Sequence, residues 1–178
     1  MYGSSNAPTG PGSGGGKIVT APLATGGSGG GAIRIEASGA VTMNGTITAN
    51  GSFPVDSSYG GGGSGGSIYI MCNTFGGDTN GVLRAAGGDG IAGGSGDGGG
   101  GGGGRIAVWY GVPSGERQRI LSGNLRNIAI TNTCKAYLGS VSVAKGMAGG
   151  SRNGATNGEP GTVVFLTLYR SGSVLQIR

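Results

Sequence analysis

The chain has 178 residues, 47 of them glycine, and only 11% are charged, against about 25% in an ordinary soluble domain. It has no histidine, which removes His-dependent nucleophiles and the common His-containing zinc sites. Glycine costs a helix interior about 1 kcal/mol relative to alanine, which argues against a helical bundle; collagen is excluded by the missing third-residue period and by only 6 prolines.

No signal peptide is read at Met1-Tyr2-Gly3-Ser4-Ser5, so the chain is expected to be cytosolic, a mature product or a piece of something longer. No stretch approaches the ~20 apolar residues of a membrane span. From the first glycine run onward, repetition dominates. Gly26 to Gly31 leads into Ala32-Ile33-Arg34-Ile35-Glu36, and Gly60 to Gly66 into Ser67-Ile68-Tyr69-Ile70-Met71. Gly98 to Gly104 leads into Arg105-Ile106-Ala107-Val108-Trp109, and Gly158 to Gly161 into Thr162-Val163-Val164-Phe165-Leu166. Ile68 follows Ile33 by 35 residues, Ile106 follows Ile68 by 38 and Val163 follows Ile106 by 57.

A second strand follows in each unit. Ile47 comes 14 residues after Ile33, Leu83 comes 15 after Ile68, and Val141 comes 35 after Ile106. The third unit therefore carries an insertion of about 20 residues, placed at 112–137. It holds Glu116-Arg117-Gln118-Arg119 and an extra strand around Asn127-Ile128-Ala129-Ile130-Thr131. The units are 26–59, 60–97, 98–157 and a partial terminal unit, 158–178, within one glycine-rich domain of residues 1–178. Alternation with a period of two marks these segments as strands. Aligning the units puts Ile33, Ile68, Ile106 and Val163 in one inward ladder. A two-strand unit cannot bury its own face, so neighbours must stack. The predicted fold is all-β: a glycine-rich β-solenoid, parallel β-helix-like, with extended polyproline-II-like polyglycine segments. Recurrence of the glycine runs before the same strand argues for ordered rods rather than linkers.

The outward residues also inform. Arg34 and Glu36 give way to Tyr69 and Met71, then Ala107 and Trp109, then Val164 and Leu166. A sheet with two apolar faces is covered on both, by glycine runs or by another chain. The residues expected to make assembly contacts are Tyr69, Trp109, Tyr110, Val164 and Leu166, with Val174, Leu175 and Ile177 of the C-terminal strand, which ends without a polar cap.

Net charge is +5, split between −2 in residues 1–104 (3 basic, 5 acidic) and +7 in residues 105–178 (9 basic, 2 acidic). The cations are scattered singly, without interleaved aromatics, so no nucleic-acid partner is expected. Gly16-Lys17 lacks the first glycine and the final hydroxyl of a phosphate-binding loop. Asp89 and Asp97 lie in fragments like calcium-binding glycine repeats, but out of register, and no cofactor is expected. No carboxylate pair shares a face at one height, so no enzyme is expected. The threonines of Thr46-Ile47-Thr48 do not propagate to Val82-Leu83-Arg84, so no threonine ladder forms. Cys72 and Cys134 could pair or remain buried thiols.

The stretches Gly30 to Gly51, Gly65 to Ile70 and Gly103 to Tyr110 resemble the glycine-rich repeats of large secreted or cell-surface, adhesin-like microbial proteins. The resemblance covers about residues 10–111. It implies an extracellular or cell-surface setting and an extended structural or adhesive role, with no catalytic motif to transfer. The leading expectation is a non-enzymatic structural protein, the subunit of an extracellular fibre or surface assembly, partnered by itself as a homo-polymer or homo-oligomer. The alternative is a carbohydrate- or surface-binding adhesin module within a longer protein, partnered by surface glycans, with Trp109 and Tyr110, and Tyr69 beside them, as the stacking residues.

Overall fold

Alternating apolar residues recur at matching positions in each repeat, so equivalent strands pair side by side. The computed structural model describes residues 4–17, 25–55, 59–94, 96–122, 128–131 and 133–168, those at 128–131 by their main chain. In chain order the strands are β1 (Ala32–Glu36), β2 (Ala40–Thr42), β3 (Thr46–Thr48), β4 (Ser67–Met71), β5 (Thr74–Gly76), β6 (Val82–Arg84) and β7 (Arg105–Tyr110). A short helix, α1 (Arg117–Leu121), follows, then β8 (Ile128–Thr131), β9 (Ser140–Ser142) and β10 (Thr162–Leu168).

Among the described residues three sheets result, ordered β1-β4-β7-β10-β8, β2-β5 and β3-β6-β9. Parallel pairing sets Ile33 beside Ile68, Ile68 beside Ile106 and Ile106 beside Val163. Ile47, Leu83 and Val141 align in the third sheet. The inward side chains form one core of Ile68, Ile70, Phe75, Leu83, Ile106, Val108 and Phe165, with Cys72, Cys134 and Tyr137. Full burial of each large apolar side chain stabilises by about 1.5–3 kcal/mol.

The all-β solenoid expected from the repeats is corrected by this arrangement. Nine strands lie in parallel sheets, but a helix is inserted, β8 runs antiparallel to β10, and no closed coil forms among the described residues. The chain is an α/β-type fold. Two physical causes stand behind the correction. Between strands, the glycine stretches hydrogen-bond to one another instead of completing turns of β-structure. The insertion brings good helix formers, Glu116, Arg117, Gln118 and Arg119, one short turn after Pro113, whose φ of −62° suits the start of that turn.

The glycine stretches have their own geometry. Along Gly61 to Gly66 the amides address three neighbours in rotation. Gly61 and Ser64 donate to the carbonyls of Gly16 and Ser13, both at 2.9 Å. Gly62 and Gly65 donate to Gly99 and Gly102, at 2.9 and 2.8 Å, and Gly63 and Gly66 to Ser52 and Ala49, at 2.9 and 2.7 Å. That rotation has a period of three residues, the period of a polyproline-II backbone. Close approach is what requires glycine here: a Cβ on Gly63 would stand 2.0 Å from the carbonyl oxygen of Ser28.

Candidate functional site

The outward ladder of the large sheet is closed by the chain itself. Tyr69, Met71, Ala107, Trp109 and Leu166 pack with Val112 and with Ile120 of α1. The N-terminal segment completes the cover: the Trp109 indole Nε1–H donates to the carbonyl of Asn6 at 2.8 Å, and the Ser67 hydroxyl donates to that of Gly10 at 2.6 Å. Trp109, Tyr69 and Leu166 are no more than 2% exposed. These three are therefore corrected from assembly contacts to internal packing residues. Tyr110 and Val164 are half-buried, each against one of the two clusters. Val174, Leu175 and Ile177 lie outside the described residues.

Burial also shifts the ionisation of this region. The Tyr69 phenol is pushed up from 10.0 to about 12, chiefly by burial and partly offset by Arg34, whose guanidinium carbon lies 5.6 Å from the ring centre. Burial pushes the Cys72 thiol up from 9.0 to about 11, with the neighbouring Cys134 adding to the shift. Both cysteines are free buried thiols; Cys72 donates weakly to the Trp109 carbonyl and Cys134 to that of Phe75, each at 3.6 Å.

Asp89 and Asp97 tie segments distant in sequence to one another. Asp89 Oδ1 accepts from the amide of Met147 at 2.7 Å. Asp97 Oδ1 accepts from the amide of Gly93 at 3.1 Å, and its Oδ2 from that of Arg152 at 2.8 Å. These amides, Arg152's first, hold the Asp97 carboxyl below its ordinary value. Among the described residues no cluster of three or more Cys, Asp or Glu gathers around a point.

A groove of about 360 Å³ is lined by Gly61, Gly62, Gly98 and Gly99, with Lys17, Tyr59 and Asp97 at its sides. An apolar hollow of about 320 Å³ is lined by Cys134, Tyr137, Val141, Val163 and Phe165.

A further feature lies on the side of the first repeat. β1, β2 and β3 are the first strands of their sheets, and among the described residues no strand pairs with their outer edges. Their inward residues Ile33, Ile35, Val41 and Ile47 are only half-buried. The equivalents one repeat later, Ile68, Ile70, Phe75 and Leu83, are 0–1% exposed. Among the described residues the core thus ends on this side in an open cross-section, bounded by three strand edges with no partner strand. The signal was available, because the first copy of a parallel ladder lacks a neighbour on one side by construction.

Among the described residues no helix is long and apolar enough to cross a membrane. No family model, no curated protein and no solved structure matches this chain.

Proposed function

We propose that this protein is a structural, non-enzymatic module that associates with copies of itself, in an extracellular or cell-surface setting. The observation that carries the reading is the side bounded by β1, β2 and β3. Unpaired strand edges present main-chain donors and acceptors to any chain that can add a strand. Here they surround the half-buried Ile33, Ile35, Val41 and Ile47. The non-enzymatic part is supported by the chemistry at hand: the chain lacks histidine, and Asp89 and Asp97 are engaged by main-chain amides. The extracellular setting is supported by the resemblance of residues 10–111 to surface-protein repeats. A glycan-binding adhesin is less favoured, because Trp109 and Tyr69, two of the three aromatics it would stack on a sugar, are packed inside the chain.

Sedimentation of the purified protein over a wide concentration range, with electron microscopy of the same samples, tests the reading. Concentration-dependent association is expected. Monomers at every concentration would overturn it.

A further inference from the structure

The outer edge of β1 is complementary to itself. The amide of Ser67 donates to the Gly31 carbonyl at 3.1 Å, and that of Ala37 to Met71 at 2.9 Å. Main-chain groups of successive strand residues point to alternate edges, so Gly31, Ile33, Ile35 and Ala37 face β4. Ala32, Arg34 and Glu36 then turn their N–H and C=O groups outward, where no strand pairs among the described residues.

Two copies joined edge to edge about a twofold axis run antiparallel. Only the even-numbered residues point outward, so an allowed register sets an even-numbered residue opposite another. Charge then selects among these registers. Setting Arg34 opposite Arg34, or Glu36 opposite Glu36, puts like charges together, which is destabilising. Registers moved one step further leave both charges opposite uncharged residues. The register centred on Ile35 sets Arg34 of each copy against Glu36 of the other, twice over. It also brings Ile35 against Ile35 and Ile33 against Ala37, all of which pack partly on the core. β3, Thr46-Ile47-Thr48, reads the same in both directions and suits the same symmetry.

We propose that the β1 edge is a twofold junction between two copies of this chain, with Arg34 of each paired to Glu36 of the other. The proposal rests on the self-association reading and names its contact. In the single chain Arg34 pairs with its own Glu36, and both side chains remain accessible, at 49% and 31%. An exposed pair of this kind is weak, so exchanging it for the two pairs of the junction meets little resistance. Because the junction is isologous, it closes on itself and yields pairs at this side rather than an open head-to-tail row.

The test is sedimentation equilibrium at low salt on the wild type, Arg34→Glu, and the double variant Arg34→Glu/Glu36→Arg, with Trp109 fluorescence reporting that each is folded. A wild-type dimer is expected. Arg34→Glu should weaken it about tenfold or more, and the double variant, which restores opposite charges across the axis, should recover it. As an independent reading, Ile35→Cys should cross-link two chains under mild oxidation, since facing residues at a non-hydrogen-bonded position are close enough for a disulfide. Association that survives Arg34→Glu unchanged, or that the double variant fails to restore, overturns the junction and leaves the self-association reading standing. A wild-type monomer at all concentrations overturns both.

Discussion

Gly101 lies so close to Gly63 that a Cβ added to it would stand 2.0 Å from the Gly63 carbonyl oxygen. One residue further on, a Cβ on Gly102 would meet the Glu159 carbonyl oxygen at 3.7 Å, an ordinary contact. Gly101→Ala should therefore cost about 3 kcal/mol or more, because the obstructing atoms are main chain on a packed neighbour and cannot swing away. Gly102→Ala should change stability by less than about 1 kcal/mol, and in the stabilising direction, since alanine restricts the unfolded chain. Paired thermal or urea melts of the two variants measure the contrast.

The same spacing explains where serine interrupts glycine. Ser13, Ser28 and Ser64 are half-buried or exposed within their runs. The Ser13 amide donates to the Ser64 hydroxyl at 2.7 Å, and the Ser28 amide to the Ser52 hydroxyl at 2.8 Å. Gly31 and Gly16, three residues after Ser28 and Ser13, have open space where a Cβ would be. The third-residue phase was visible in the sequence as these serines. The strand register was equally legible, because Ile33, Ile68, Ile106 and Val163 recur before the same kind of segment. What covered Tyr69 and Trp109 was not legible. A period of two says that a side chain faces away from one core, but not what lies over it. The cover comes from a non-repeating insertion, in which Ile120 is the one buried residue of α1, and from the Asn6 region. β2 and β5 also escaped notice, since Ala40-Val41-Thr42 and Thr74-Phe75-Gly76 are three residues long with little in common.

Trp109 is a probe of that cover. Trp109→Ala should destabilise by about 3–5 kcal/mol, as expected for emptying a large buried site. As the single tryptophan of the chain, its native emission should be blue-shifted and should move to the red in one step with unfolding. Trp109→Phe keeps most of the packing but loses the hydrogen bond to Asn6, and should cost about 1–3 kcal/mol by leaving that carbonyl without its donor.

Alkaline pH should weaken the fold through two groups. Tyr69 titrates near 10.0 when exposed and at about 12 when folded, and Cys72 near 9.0 and at about 11. In each case the unfolded chain loses its proton first, so stability is full below pH 9 and falls as the pH rises toward 12. Tyr69→Phe should remove the portion lost between pH 10 and 12. It also removes a buried hydroxyl that has no partner among the described residues, so at neutral pH it should leave stability unchanged or raise it by up to about 1 kcal/mol. Denaturant midpoints measured from pH 7 to 11.5 on both proteins check the difference.

Glycine main chain serves in this fold as packed, hydrogen-bonded structure. The amides of Gly98, Gly100, Gly101, Gly103 and Gly104 donate to Ile91, Thr156, Gly88, Glu159 and Ala85 at 2.7–2.9 Å. Residue-resolved amide hydrogen exchange over Gly98 to Gly104 tests this directly. The account predicts that these five amides exchange orders of magnitude more slowly than an unstructured peptide, with protection approaching that of β7. Exchange at the unstructured-peptide rate across the run would contradict it.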